Sequence, residues 1–257
     1  MNLAAALPGY AKLSIGDARG LVMEACREPL QTILASETLY EHASRQPGAR
    51  AFKGRRTAYS LQLGEQCGTV VVRHSVRGGL LGKTGSDLFL PPTRGLRELV
   101  NSLRLRVADV PTPEIVAIIT YKAGPILRRG DVATREISDS HDLAVVLQEM
   151  PPGADRDSCL RATGKLLESL ARAGAHHPDL NARNVLITWE GPEGAHAYVL
   201  DVDRIRFHVP GDPMVAQANL ERLERSLNKL QSRDEIALVD GEMDSIRRRA
   251  QGNAVAG

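Results

Sequence analysis

One stretch constrains this chain more than any other: His177-Pro178-Asp179-Leu180-Asn181-Ala182-Arg183-Asn184, followed by the apolar run Val185 to Ile187 and then by Val199-Leu200-Asp201-Val202-Asp203. The residues between read as a hairpin. Val185 to Trp189 forms one strand, Glu190-Gly191-Pro192-Glu193-Gly194 the turn, and Ala195 to Leu200 the returning strand. Such a hairpin brings Asp201 back beside a tight loop that already carries Asp179 and Asn184. Aspartate and asparagine favour turns without any chemistry, so either alone says little. A histidine two places before the first aspartate, together with a carboxylate at the end of the next strand, turns the reading towards chemistry.

The pattern is H-x-D-x-x-x-x-N followed by a strand-borne aspartate, and it resembles the catalytic and metal loops of protein kinases. Phosphoryl transfer from ATP needs a carboxylate to orient the attacking hydroxyl and oxygen ligands to fix Mg2+ against the phosphates. The resemblance implies that Asp179 is the catalytic carboxylate, with His177 bracing its loop. Asn184 and Asp201 are then the metal ligands, and Asp203 either adds a ligand or pairs with Arg204. Arg183 and Arg204 stand beside these carboxylates, to pair with them or with phosphate. Zinc does not fit, because His176 and His177 do not share a helix face and no further Cys or His lies at ligand spacing.

The string His177 to Asn184 with Leu200-Asp201-Val202-Asp203-Arg204 is similar to the lipopolysaccharide kinase family, above all to its members acting on 3-deoxy-D-manno-octulosonic acid (Kdo). Ordinary protein kinases usually show Arg at 178, Lys or Ala at 181 and Gly at 203, where this chain has Pro, Asn and Asp. The likeness recurs at Arg73-His74, at Arg77 to Lys83 and at Asn219 to Leu227, and so covers about residues 50 to 230. It implies an α+β, bilobal protein-kinase-like fold, with a small antiparallel β lobe and a larger helical lobe. The implied activity is ATP-dependent phosphorylation of a Kdo hydroxyl on a lipid A precursor of the lipopolysaccharide inner core.

Along the chain, residues 1–50 read as an appendage, with one or two helices between Ala18 and Ala35 broken at Pro29. Residues 51–137 read as a five-stranded small lobe. Its strands are expected at Ala51–Lys53, Thr57–Leu63, Thr69–His74, Ile115–Tyr121 and Asp131–Ile137. Gly54 stands where a turn either covers the nucleotide phosphates or merely closes a hairpin. The cation for the α- and β-phosphates is Arg73 or Lys83, with strand context favouring Arg73. Glu98, on a helix after Pro91-Pro92-Thr93, falls where a kinase glutamate pairs with that cation. Ile137 to Asp139 is the hinge whose backbone meets adenine. Residues 138–240 read as the helical lobe and 241–257 as a frayed tail, whose Arg247-Arg248-Arg249 offers weak attraction to an anionic membrane.

Composition sets the remaining bounds. The chain of 257 residues is 42% hydrophobic and 25% charged, as soluble globular proteins are, and its net charge of +2 does not argue for nucleic acid. Cys26, Cys67 and Cys159 are far apart and odd in number, so the reading is neither a disulfide framework nor a metal pair, and a reducing cytoplasm is expected. No stretch has the length of a membrane span, so a glycolipid acceptor implies peripheral contact with the cytoplasmic face of the inner membrane. Arg77, Lys83, Arg94, Arg97 and Arg183 are the cations expected to meet the anionic acceptor. The rivals are a heptose kinase of the same family, a protein serine/threonine kinase and a pseudokinase. No Ala-Pro-Glu follows Asp203, against the protein kinase, and Asp179, Asn184 and Asp201 are all retained, against the pseudokinase.

Overall fold

The computed structural model describes residues 7–52, 57–74, 94–124, 128–189 and 194–250. It divides into two compact units, residues 1–99 with 114–136 and residues 100–113 with 137–257.

The first unit is a seven-stranded antiparallel sheet with helices. Its elements are β1 (Tyr10–Ile15), β2 (Ala18–Met23), α1 (Arg27–Leu34), α2 (Leu39–Arg45), β3 (Ala51–Phe52), β4 (Ala58–Gln62), β5 (Thr69–His74), the start of α3 (Arg94–Val107), β6 (Ile115–Lys122) and β7 (Arg128–Arg135). The strand order is β1-β2-β6-β7-β5-β4-β3. The expected five strands are therefore extended by two more. Ala18 to Met23 pairs with β6 rather than beginning a helix, in register Ala18↔Tyr121 to Val22↔Ala117. Gly20 permits this approach, since a Cβ there would lie 2.1 Å from the Ile118 carbonyl oxygen. Residues 10–45 are thus built into the unit's core, with Val22, Leu30, Leu39 and Ala43 fully buried beside Val70, Val72 and Val116. Two backbone donors at the start of α2 are satisfied by side chains, Leu39 N–H by the Tyr121 hydroxyl and Tyr40 N–H by Asp131. Asp131, 1% exposed, also accepts from the Tyr121 hydroxyl at 2.9 Å and meets His74 Nδ1 at 2.7 Å.

Cys26 and Cys67 form a disulfide across 41 residues, with Cα atoms 5.5 Å apart, which overturns the expectation of unpaired cysteines. Separation in sequence hid a closeness made by the sheet, so cysteine spacing does not argue for a reducing compartment. Cys159 is free and buried, and burial pushes its thiol pKa up to about 11.

The second unit carries β8 (Ser140–Asp142), α4 (Leu143–Glu149), α5 (Ala154–Arg172), β9 (Ala175–His176), β10 (Val185–Trp189), β11 (Ala195–Val199), β12 (Arg206–Phe207), α6 (Pro213–Gln231) and α7 (Glu242–Ala250). β10 and β11 form the expected hairpin, in register Val185↔Val199 to Trp189↔Ala195, and β8 pairs on the other edge of β10. The helices start where local chemistry allows. Asp142 caps α4 by accepting from Val145 N–H at 3.0 Å, and Asp212 caps α6 by accepting from Met214 N–H at 2.9 Å, with Pro213 in the first turn. Leu220, Leu223, Leu227 and Leu230 turn one stripe of α6 into a core shared with Leu160, Leu166, Leu167 and Leu170 of α5.

Glu242 to Ala250, part of the stretch expected to be a frayed tail, form a helix instead. α7 is docked, with Ile246 fully buried and Glu242 paired to the buried Arg156. Arg247 and Arg249 are engaged in ion pairs with Glu224 and Glu168, so two of the three arginines offered to a membrane face α5 and α6 instead.

Candidate active site

The loop after β9 is laced by hydrogen bonds that use nearly every polar group the sequence supplies. His177 is fully buried, and its ring spans two segments: Nδ1 accepts from Asp179 N–H at 3.2 Å, while Nε2 lies 3.0 Å from the Leu200 carbonyl. Accepting at Nδ1 leaves the proton on Nε2, where it donates to Leu200. The Asp179 carbonyl accepts from both the Asn181 and Asn184 amides at 2.9 Å, and Leu200 N–H donates to the Asn184 carbonyl at 2.9 Å. One bonded frame therefore carries Asp179, Asn184 and the residue immediately before Asp201. His177, out of solvent contact, is a brace of that frame.

Burial lowers the His177 pKa, and the Leu200 bond with the Asp201 and Asp179 charges only partly oppose it. Burial also lowers His176, helped by His208 and Arg206. A histidine held neutral in the folded state takes up protons preferentially when unfolded. The stability it contributes is complete above the unfolded value near 6.5 and is lost as pH falls below it. We expect the urea midpoint to fall with acidification below that value, and to fall less steeply in His177→Gln. Equal slopes in the two proteins would remove His177 as a source of the pH dependence.

Asp201 adopts a left-handed backbone at φ 57° and ψ 48°, a conformation few residues other than glycine take and one that recurs at functional turns. Asp203 is buried at 8% exposure, while Arg204 is exposed and makes no ion pair with it. Arg183, expected beside the carboxylates, instead reaches Glu235 at 3.1 Å.

The cation beside Asp179 is Arg222, which sequence reasoning missed. Its Nη2 donates to Asp179 Oδ1 at 2.8 Å and its Nε to the Pro178 carbonyl at 3.3 Å. Asn219, one turn earlier on α6, accepts from His177 N–H and donates to the Ala175 carbonyl, both at 2.9 Å. Ser226, one turn later, accepts from Ala182 N–H at 3.2 Å. A signal was present, since Asn219, Arg222 and Ser226 recur at i, i+3 and i+7 beside the leucine stripe. What that polar seam would face was not.

In the first unit Arg73 and Glu98 are joined as an ion pair, with Glu98 buried at 5% exposure. Gly54, Arg77 and Lys83 lie outside the described residues. Ile137 and Asp139 lie between β7 and β8. The Ile137 carbonyl accepts from Ser140 Oγ at 2.7 Å, the Ser138 carbonyl accepts from Thr188 Oγ1 at 3.0 Å, and Asp139 turns the chain at φ 47°. Among the described residues no group of three or more His, Cys, Asp or Glu is placed to hold a metal ion.

Residues 43–242 match the model of the lipopolysaccharide kinase (Kdo/WaaP) family. The chain belongs to this family. Among its relatives is a 3-deoxy-D-manno-octulosonic acid kinase of Haemophilus influenzae (strain PittEE), 33% identical over 183 residues, covering 69% of this chain and 73% of that protein. Another of the same name, from Vibrio parahaemolyticus serotype O3:K6 (strain RIMD 2210633), is 30% identical over 210 residues, covering 80% and 82%. Of solved structures, WaaP in complex with acyl carrier protein superposes with a TM-score of 0.54 at 18% identity, covering 87% of this chain and 86% of that one. That likeness speaks for the fold of a family member, here a kinase-like α+β chain with an antiparallel sheet.

Proposed function

We propose that the protein transfers the terminal phosphoryl group of ATP to a hydroxyl of a Kdo residue on a lipid A precursor of the lipopolysaccharide inner core. Family membership and the names of the two relatives support the reaction class and the sugar. The observation that carries the site is the frame in which His177 ties Asp179 to the Leu200 backbone and Asn184 N–H bonds close the loop.

In this reading Asp179 accepts a hydrogen bond from the acceptor hydroxyl, aims its oxygen at the phosphorus and takes its proton as the new P–O bond forms. Arg73, steadied by the buried Glu98, supplies positive charge for the α- and β-phosphates. Ile137 to Asp139 is the adenine-binding stretch by position. Gly54 is proposed for the turn over the phosphates, and Lys83 is the alternative to Arg73 as their cation.

The donors Asn184, Asp201 and Asp203 are hard oxygen ligands of the kind Mg2+ takes. Asn184 uses its NH2 group on the Asp179 carbonyl, which turns its own carbonyl oxygen to the acceptor role a cation needs. These three residues would hold the ion, whose chemistry is to neutralise charge on the transferring phosphates. The acceptor is lipid-borne, so the reaction belongs at the cytoplasmic face of the inner membrane. No described helix is long and apolar enough to cross a membrane, and the proposed contact is peripheral.

Purified protein with labelled ATP and magnesium is expected to label a Kdo-bearing lipid A precursor and to leave casein-like proteins unlabelled. Labelling of proteins with none of the glycolipid would reject the reading. Labelling only of heptose-extended core would move the acceptor from Kdo to heptose.

A further inference from the structure

Asn219 and Ser226 of α6 serve backbone groups of the loop, whereas Arg222 between them also reaches the carboxylate of Asp179. Asn219 is fully buried with its amide oxygen and nitrogen both spent on the segment 175–177, and Ser226 serves the Ala182 N–H. The Arg222 and Asp179 side chains retain 29% and 36% of their exposure, so their pair sits at the open edge of the frame. Exposed pairs contribute about 0–1 kcal/mol to stability. The bond to the Asp179 carboxylate therefore adds little to folding beyond what the bond to the Pro178 carbonyl supplies.

Its geometry is directional. Nε is tied to the Pro178 carbonyl and Nη2 to Asp179 Oδ1, so the guanidinium bridges the loop backbone and one carboxylate oxygen. Asp179 has two torsions to fix, and this bridge holds both by gripping a single oxygen. Among the described residues no hydrogen bond falls on Oδ2, which is the oxygen left to an incoming hydroxyl. The loop's own arginine does not compete for the task, since Arg183 is drawn to Glu235.

We propose that Arg222 is the positioning residue for Asp179: it holds Oδ1 so that Oδ2 points to the acceptor hydroxyl, and it acts on the chemical step through that carboxylate rather than on nucleotide binding. The inference rests on the phosphotransfer reading above. Its signature is a split between constants. With the acceptor that wild-type protein labels, Arg222→Ala is expected to lower kcat about ten- to a hundredfold, the scale on which small misplacement of a reacting group acts. The KM for ATP should stay within about twofold.

Two further measurements separate positioning from a structural role. Guanidinium ion at millimolar concentration is expected to restore part of the lost kcat in Arg222→Ala and none in Asp179→Asn, and Arg222→Lys should lie between wild type and Ala. In the double variant the Arg222 substitution should cost nothing beyond the loss from Asp179→Asn, because a residue acting through Asp179 has nothing left to position. Full kcat in Arg222→Ala, or equal proportional losses with and without Asp179, would overturn the proposal. If Arg222→Ala does not fold, the same kcat comparison in Arg222→Lys and Arg222→Gln decides it. Wild-type turnover on the glycolipid reports separately on the function, and the ratio of variant to wild type on whichever acceptor is labelled reports on Arg222.

Discussion

Asp179→Asn is expected to leave the protein folded and able to bind ATP while lowering turnover by roughly a hundredfold or more. The side chain is isosteric, and its stability stake is small. Among the described residues the carboxylate has one side-chain hydrogen-bond partner, Arg222 at 2.8 Å, in a pair that is about a third exposed on both sides. Such pairs are worth about 0–1 kcal/mol. The hydrogen bonds that shape the loop use the Asp179 backbone, its N–H to His177 and its carbonyl to Asn181 and Asn184, and the substitution leaves all three in place. Loss of a hundredfold corresponds to about 2.7 kcal/mol of transition-state stabilisation, a cost the folded structure does not share. Single-turnover rates with the glycolipid, alongside a urea denaturation curve and nucleotide titration, separate the two effects. A variant with near wild-type turnover would exclude Asp179 as the hydroxyl-orienting group, and the loop would then serve folding alone.

The second large effect is expected at the far end of the chain, where Glu242→Ala should destabilise the second unit by about 3–5 kcal/mol, the usual consequence of stripping one member from a buried ion pair. Arg156 is 2% exposed and Glu242 4%. The guanidinium Nε lies 2.7 Å from one Glu242 oxygen and Nη2 donates to the other at 2.9 Å, while Nη1 serves the Leu147 and Met150 carbonyls. Without Glu242 the cation stays buried with only carbonyl partners. α7 also depends on Gly164 of α5, where a Cβ would stand 2.5 Å from the Arg249 Cβ and 3.1 Å from the Ile246 carbonyl oxygen. The approach of the two helices is therefore close and leaves little room to adjust. Urea unfolding followed by helical circular dichroism measures the loss. A change under about 1 kcal/mol would mean that solvent reaches the arginine and that α7 contributes little.

The hairpin β10–β11 and the loop before it could be read directly, because turn residues, β-branched strands and the Asp179–Asn184–Asp201 spacing are local properties of a short segment. The leucine stripe of α6 was legible for the same reason, a period of 3.6 repeated over four positions. Part of the helical stretch expected from Ala18 to Ala35 stands as α1, but Ala18 to Met23 was misread because it carries no alternation that excludes a helix, and its strand form comes from pairing with β6 nearly a hundred residues away. Long-range contact also decided the chemistry of single groups. Cys26 meets Cys67, Arg183 leaves the loop for Glu235, and Arg222 arrives at Asp179 from 43 residues downstream. Glu242 helps to dock α7 by neutralising Arg156. Residue type and spacing thus marked which groups could be proposed for phosphoryl transfer, since those are matters of covalent chemistry and local geometry. Which cation stands beside which carboxylate was settled by packing, because a charge's partner depends on distance in space, and chain order leaves that distance open until the helices and strands have closed on their cores.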